Sequence, residues 1–206
     1  TDDWHLDVVM TGSQKGLMLP PGLACVSVSD KAWAAVEKST LPKFYFSWTK
    51  GRKALAKSTT PFTPPVSLII GLGEALTMMR EEGLEDIIKR HSKLALATRL
   101  GAEAMGLKLF APANGRGSAV TPVWVPENID GKELVKKMSA KYGITIAGGQ
   151  EHLAGKIFRI GHLGYFDQFD ILTVLAGLEM CLTEMGYEFE GGSGVRAAEK
   201  VFMGLK

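Results

Sequence analysis

Apolar residues in the first third of the chain come in short runs that turn residues interrupt. Residues 7–10 and 23–28 each form such a run, and Pro-Pro-Gly at 20–22 separates them, so we predict two short buried strands joined by a loop. Ser29 is a typical N-cap residue and predicts that a helix follows. Residues 38–62 show little periodicity and many lysines, threonines, serines and prolines, which predicts a long irregular segment.

Apolar residues recur at helical spacing in two long segments in the middle of the chain. The first segment follows Pro64 and Pro65, which suit a helix start, and the second follows Gly83. Their apolar faces comprise Leu68, Leu72, Leu76 and Met79 in the first and Leu84, Ile88, Ala95, Ala102 and Met105 in the second. Because Gly83 interrupts the pattern, we predict a domain boundary there, with residues 1–83 in one domain and 84–206 in another.

Strand and helix patterns alternate in the remaining residues. Strands are predicted at 107–110, 120–125, 144–147 and 156–160, and helices at 131–142 and 167–185. Such alternation is typical of a small α/β layer domain. Residues 186–206 begin with a polar, glycine-rich stretch, and we predict that they form a loose tail.

Composition and charge narrow the function only a little. The 206 residues carry a net charge of +2, with 46% hydrophobic and 22% charged residues, which is ordinary for a globular protein. This balance gives no electrostatic reason for binding nucleic acid or a membrane, and no apolar run has membrane-spanning length. Cys25 and Cys181 lie in separate apolar segments, so we predict two buried free thiols, a reducing compartment and a cytoplasmic location.

Lys15 is the first candidate for chemistry, because it follows a predicted strand within a turn of glycine, serine and glutamine. Open α/β sheets bind ligands at such strand ends, and a lysine that is partly desolvated there becomes a better nucleophile. Ser13 and Gln14 add neutral hydrogen-bond donors of a kind suited to a phosphate. Position alone leaves an anion site, an aldehyde site and an ordinary turn lysine all open.

Residues 11–22, Thr-Gly-Ser-Gln-Lys-Gly-Leu-Met-Leu-Pro-Pro-Gly, resemble the cofactor-lysine segment of class V aminotransferases of the alanine–glyoxylate and serine–glyoxylate type. The resemblance implies that Lys15 binds pyridoxal 5'-phosphate as a Schiff base, with Ser13 and Gln14 as cofactor contacts. It also implies the fold, which is the end of the large α/β sheet domain of a fold-type-I enzyme followed by a small α/β C-terminal domain. The chain then corresponds to the C-terminal portion of such an enzyme.

Thr60 and Thr63 lie in a second segment that agrees with this family in order and spacing. From the residues alone, two threonines before a proline-led helix are turn and cap residues. The resemblance implies instead that a hydroxyl here binds the cofactor phosphate of the partner subunit in a homodimer. Thr63 matches the family directly, whereas Thr60 stands where some relatives carry tyrosine.

Arg159 lies in a third matching segment, residues 156–164. It alternates with Phe158 and Ile160 on a predicted strand and therefore points away from the core face or into a cleft. A guanidinium suits a carboxylate because its planar fork donates two parallel hydrogen bonds, although an ordinary ion pair also explains the residue. The resemblance implies that Arg159 binds the α-carboxylate of the substrate. His162 is predicted to be structural, since Lys15 itself can move the proton.

The predicted reaction is transamination between a small amino acid, alanine or serine, and glyoxylate or another 2-oxo acid. In the family an earlier part of the chain supplies an acidic partner for the cofactor's pyridine nitrogen, a stacking aromatic ring and a phosphate-binding turn. We recognise none of these in residues 1–206, so we expect little activity from these residues without that N-terminal portion.

Three alternatives remain open from the sequence. The same scaffold supports lyases, desulfurases and epimerases, but a desulfurase needs a mobile exposed cysteine, and Cys25 and Cys181 are predicted in apolar elements. Some relatives in this subgroup carry the label of a soluble hydrogenase subunit, yet the metal and thiolate centres of that chemistry need more than two dispersed cysteines. A non-catalytic binding or structural module is the third alternative.

Overall fold

The computed structural model describes residues 2–205 and divides them into two compact units. The first unit extends to Glu81 and the second begins at Glu82. Each unit has its own secondary structure and is described by itself.

The first unit contains two strands and three helices. These are β1 (Val8–Gly12), β2 (Ala24–Val28), α1 (Asp30–Lys38), α2 (Trp48–Leu55) and α3 (Val66–Glu82). The strands pair antiparallel, with Val8 opposite Val28 and Gly12 opposite Ala24. Ser29 caps α1 as predicted, because its hydroxyl accepts a hydrogen bond from the Ala32 amide at 3.1 Å.

Two predictions for the first unit are wrong. The strands are not buried in this chain: Met10 is 70% exposed and Cys25 is exposed, because the two strands form a ribbon without a third strand among the described residues. The segment 38–62 is not wholly irregular, since it contains α2, which Ser47 caps by accepting from the Lys50 amide. That helix was missed because it has only eight residues, and three of them are lysine or arginine.

The second unit is a three-stranded antiparallel sheet with four helices. Its elements are α4 (Leu84–Ala104), β3 (Val120–Trp124), α5 (Gly131–Tyr142), β4 (Ala147–Gly148), β5 (Ile157–Gly161), α6 (Gln168–Glu184) and α7 (Ser193–Met203). The strand order is β3-β5-β4, which places β5 in the centre. The predicted mixed α/β fold is confirmed, although the predicted strand at 107–110 is reduced to a single bridge between Leu109 and Val123.

One face of this sheet forms the core. Val123 and Phe158 are paired across β3 and β5, and both are fully buried. The inward face of α6 is the one that its helical spacing predicts, with Ile171, Leu175, Leu178 and Leu182 all fully buried. Burying side chains of this size stabilises the fold by about 1.5–3 kcal/mol each. Alternate residues of β5, including Arg159, therefore lie on the opposite face.

The predicted loose tail at 186–206 is wrong, because its residues 193–203 form the helix α7. Ala198 in α7 is fully buried in the core. Glu179 of α6 lies at the N-terminus of α7. Its carboxylate accepts hydrogen bonds from the amides of Gly192, Gly194 and Val195. A carboxylate at a helix N-terminus satisfies amides that have no intrahelical partner. The glycine-rich start of this segment concealed the helix.

Candidate functional site

The loop between β1 and β2 carries Lys15, and Ser13 closes it. The Ser13 amide donates to the Leu23 carbonyl at 3.0 Å. The Ser13 hydroxyl donates to the Pro20 carbonyl at 2.7 Å and accepts from the Leu23 amide at 3.1 Å. Because Ser13 is fully buried and its hydroxyl already has two partners, it fixes the two ends of the loop rather than facing solvent.

Within this loop the backbone turns sharply around Lys15. The Lys15 amide donates to the Gly12 carbonyl, and the Lys15 carbonyl accepts from the Met18 amide at 3.0 Å. Met18 has a φ of 61°, a left-handed conformation that a side chain of this size rarely adopts. Strained backbone of this kind is common at functional sites.

The side chains of Gln14 and Lys15 are both exposed. The expected partial burial of Lys15 is therefore wrong for this chain. None of the ion pairs between described residues includes Lys15, so its amine is available for reaction. The Gln14 side chain folds back over Gly12, where a Cβ would lie 2.7 Å from the Gln14 Oε1 atom.

The lysine loop also packs against α3. Gly22 has a φ of 147°, and a Cβ at that position would lie 2.5 Å from the Leu68 Cδ1 atom. Glycine at 22 therefore permits both the turn and the close approach of the loop to the helix. Ser13 and Gly22 together hold the backbone that presents Lys15.

Thr60 and Thr63 precede α3 in the same unit as Lys15. The Thr60 hydroxyl donates to the Phe62 carbonyl at 2.5 Å and so closes a local turn. Thr63 is exposed. The ring of Phe62 stacks on Tyr45 with centroids 4.4 Å apart, in an aromatic cluster that the sequence pattern did not reveal.

Arg159 lies in the centre of the second unit's sheet, on β5 between Pro122 of β3 and Ala147 of β4. These small neighbours leave room for a long side chain on this face of the sheet. Arg159 is half-buried, and its Nε atom donates to the Gly148 carbonyl at 3.0 Å. No described carboxylate forms an ion pair with it, so the ordinary surface ion pair considered from the sequence is absent among residues 2–205.

The loop that follows Arg159 is held by two residues that sequence reasoning missed. The Arg90 Nη1 atom donates to the carbonyls of Gly164 and Phe166, each at 2.9 Å. The His91 Nε2 atom accepts from the Gly164 amide at 3.0 Å. Both residues lie on α4, more than 70 positions away in sequence, so no local pattern could reveal them.

His162 has the structural role that was predicted. It is fully buried, and its Nδ1 atom lies 3.1 Å from the Ser118 carbonyl while its Nε2 atom lies 2.9 Å from the Thr121 hydroxyl. The carbonyl can only accept, so Nδ1 carries the proton and Nε2 accepts from Thr121. Burial lowers the pKa of His162 to about 4, which keeps the imidazole neutral near pH 7.

The predicted site residues thus fall into three groups. Ser13, Gln14 and Lys15 share one loop, Thr60 and Thr63 lie before α3 of the same unit, and Arg159 belongs to the second unit. An exposed amine, a free amide and an unpaired guanidinium are suited to an aldehyde cofactor and a carboxylate substrate. Within residues 2–205, histidine, cysteine, aspartate and glutamate side chains form no group of three or more that could hold a metal ion.

None of the helices in the described part of the chain is long and apolar enough to cross a membrane.

Comparisons with known proteins agree on one family. The family model described as "Aminotransferase class-V" matches residues 1–164. The chain is 51% identical over 97% of its length to the "Soluble hydrogenase, small subunit" of Synechococcus sp. (strain PCC 6716), covering 52% of that protein. It is 45% identical over 96% of its length to the serine–glyoxylate aminotransferase of Arabidopsis thaliana, covering 50% of it.

Among solved structures, the chain resembles ureidoglycine–glyoxylate aminotransferase from Bacillus subtilis with a TM-score of 0.93 and 32% identity. That match covers 98% of this chain and 53% of the solved one. The chain therefore spans about half the length of the relatives that it matches.

Proposed function

Because this chain belongs to the class-V aminotransferase family, we propose that the complete protein transfers an amino group from a small amino acid to glyoxylate or another 2-oxo acid. We propose pyridoxal 5'-phosphate as its cofactor and Lys15 as the residue that binds it covalently. The family consists of pyridoxal-phosphate-dependent enzymes.

One observation supports this proposal most strongly, namely the way the chain presents Lys15. The amine stands exposed in a loop whose ends are fixed by Ser13, and no described carboxylate pairs with it. An amine held in this way can attack an aldehyde and can later accept and return a proton. The residues present therefore fit the cofactor. Pyridoxal phosphate, when bound, supplies the electron sink that makes the α-proton of an amino acid acidic.

We propose roles for the other candidate residues that their surroundings support. Arg159 holds the α-carboxylate of the substrate, since its guanidinium is free of described acidic partners. We propose that Gln14, exposed beside Lys15, contacts the cofactor of its own chain, and that the exposed Thr63 contacts the cofactor of the partner subunit. Thr60 keeps its predicted cofactor role, although its hydroxyl also closes the turn to Phe62. For Ser13 we propose an indirect role, in which its buried hydroxyl positions the loop and leaves the phosphate to other groups.

The names of relatives support glyoxylate as the amino acceptor more strongly than they support any one amino donor. One relative is named for serine and glyoxylate and one solved neighbour for ureidoglycine and glyoxylate, so glyoxylate is common to both. We propose glyoxylate as the acceptor, with serine or alanine as the donor. A cytoplasmic homodimer, in which Thr63 reaches the partner's cofactor phosphate, remains part of the proposal.

A second candidate function arises from the relative named as a hydrogenase subunit. That name describes the other protein. In this chain Cys181 is buried and Cys25 is a single exposed thiol in the other unit, and the described residues form no group suited to a metal. We therefore favour transamination.

The proposal is tested by following the amino nitrogen. The complete protein is incubated with pyridoxal phosphate, glyoxylate and ¹⁵N-labelled serine or alanine, and glycine is analysed by mass spectrometry. We expect ¹⁵N-glycine and an equal amount of the donor's 2-oxo acid. Lys15→Arg is expected to lower the rate ~100-fold or more, whereas Lys38→Arg, on the exposed last turn of α1, leaves it unchanged. If no ¹⁵N-glycine forms with either labelled donor, the proposal is refuted.

A further inference from the structure

Gly148 ends β4 beside Arg159, and Gly149 follows it. Arg159 faces Ala147 across the β4–β5 pair, and its side chain reaches the next carbonyl along, that of Gly148. The hydrogen bond from Nε to this carbonyl is 3.0 Å long. Among the described residues, this is the hydrogen bond that orients the Arg159 guanidinium.

Using the Nε–H in this way decides which atoms remain for a ligand. A guanidinium has five N–H groups, and a carboxylate can bind it either along the Nε edge or across the two terminal nitrogens. The Gly148 carbonyl occupies the Nε edge, so the Nη1 and Nη2 atoms are left to form the two parallel bonds.

The conformation that places the Gly148 carbonyl depends on the next residue. The Gly149 amide donates to the Ile157 carbonyl at 2.9 Å, and the chain then folds into a tight turn at Glu151–Leu153. A Cβ on Gly149 would overlap the carbonyl oxygen of Leu153 and would also lie 3.0 Å from the Ile157 Cγ1 atom. Since a backbone oxygen cannot rotate away as a side chain can, any larger residue must displace the turn.

Gly148 is different, although it is the adjacent glycine. A Cβ there would meet only the Val135 Cγ2 atom, at an ordinary contact distance of 3.9 Å. Neither Gly148 nor Gly149 has a left-handed φ, so backbone strain does not separate the two positions. The pair therefore provides a test and its matched control.

We propose that Gly149 is a positioning residue for Arg159: by admitting the Leu153 carbonyl, it keeps the Gly148 carbonyl on Nε and directs Nη1 and Nη2 to the substrate carboxylate. This inference rests on the proposed function for the identity of the ligand, but the Arg159–Gly148 contact stands apart from it.

The contact is tested on this chain by ¹⁵N–¹H NMR of the arginine Nε–H groups. The Arg159 resonance is the one that Arg159→Lys removes. We expect it to exchange slowly with water in the original chain and in Gly148→Ala, and ~10-fold or more faster in Gly149→Ala. If Gly149→Ala fails to fold, the original chain still decides the matter, because exchange as fast as in free arginine would overturn the contact.

The consequence for substrate is tested on the complete protein. We expect Gly149→Ala to raise the KM for the donor amino acid ~10-fold, which corresponds to ~1.4 kcal/mol, with kcat within about twofold. The control is Gly191→Ala, because a Cβ on Gly191 would meet nothing within 4 Å, and it should leave both constants unchanged. The rate with the corresponding amine that lacks the carboxylate should not change in either variant. Equal increases of KM in Gly149→Ala and its control would overturn the inference. So would a loss of rate with the amine as large as the loss with the amino acid. If the unsubstituted protein transfers no amino group, the proposed function fails, and the NMR result decides the contact alone.

Discussion

Replacing Ser13 with alanine removes the hydroxyl that joins the two ends of the lysine loop. In the native chain this hydroxyl donates to the Pro20 carbonyl and accepts from the Leu23 amide, at a position with no solvent exposure. Alanine fits the same space, so the loss is confined to these two hydrogen bonds. Both backbone groups are then left without the partner that the hydroxyl provided.

The cost is moderate because Pro20 is exposed and Leu23 is half-buried, so water replaces part of what the hydroxyl provided. A hydrogen bond in such surroundings contributes about 0.5–1.5 kcal/mol net, so the loss of two costs about 1–3 kcal/mol. The Ser13 amide still donates to the Leu23 carbonyl and the Ser13 carbonyl still accepts from the Leu19 amide, so the loop loosens without opening fully. We therefore expect the largest effect at Leu23 itself.

Amide hydrogen exchange followed by NMR measures this effect at one residue. Ser13→Ala should lower the free energy of opening at the Leu23 amide by about 1–3 kcal/mol. Thr11→Ala is the control, because the Thr11 hydroxyl is exposed and reaches only its neighbour's carbonyl at 3.5 Å; its effect should stay within about 0.5 kcal/mol. Exchange at Leu23 that is the same in Ser13→Ala and Thr11→Ala would refute the role given to Ser13.

Three further predictions concern pH, packing and thiol reactivity. Because burial holds the pKa of His162 near 4, below its unfolded value of about 6.5, the unfolded state binds more protons between these values. The free energy of unfolding should therefore fall by up to about 3 kcal/mol as pH drops from 6.5 to 4, and urea titrations of His162→Gln should lack this component. Glu179→Ala should lower the free energy of unfolding in urea by about 3 kcal/mol, because three amides at the α7 N-terminus donate to this carboxylate. Glu179→Gln should lower it by less, and equal losses in the two variants would contradict the role of the charge. Cys25 is exposed and should react promptly with a thiol reagent. Cys181 should react only on unfolding, because burial raises the pKa of its thiol and shields it from the reagent. Fast reaction of both thiols in the folded chain would contradict this.

The second unit was largely predictable from periodicity. The helical spacing in α6 identified the buried face correctly, because apolar side chains three or four residues apart lie on one side of the helix and pack into the same core. The tail was mistaken for a loop, because α7 is stabilised by Glu179, whose contribution comes from another helix. Local sequence contains no signal for such a tertiary contact.

The family could be predicted from one contiguous segment, whereas the contacts that support the candidate residues could not. The family was correctly predicted from residues 11–22, and the family match confirms it. The chemistry of Lys15 and Arg159 remains a prediction. The supports of these residues could not be foreseen, since Arg90 reaches the loop after Arg159 from a distant helix, and the Gly148 carbonyl became visible as a partner only in the paired strands. The predicted burial of Cys25 failed because an apolar strand is buried only where another layer covers it.

Reduction of the cofactor linkage shows directly whether Lys15 is the lysine that binds pyridoxal phosphate. The complete protein is incubated with pyridoxal phosphate, treated with borohydride, digested and mapped by mass spectrometry. We expect one pyridoxyl group per chain, on Lys15, and no labelling of that peptide in Lys15→Arg. Labelling scattered over surface lysines, or stoichiometric labelling of a different lysine, would contradict it.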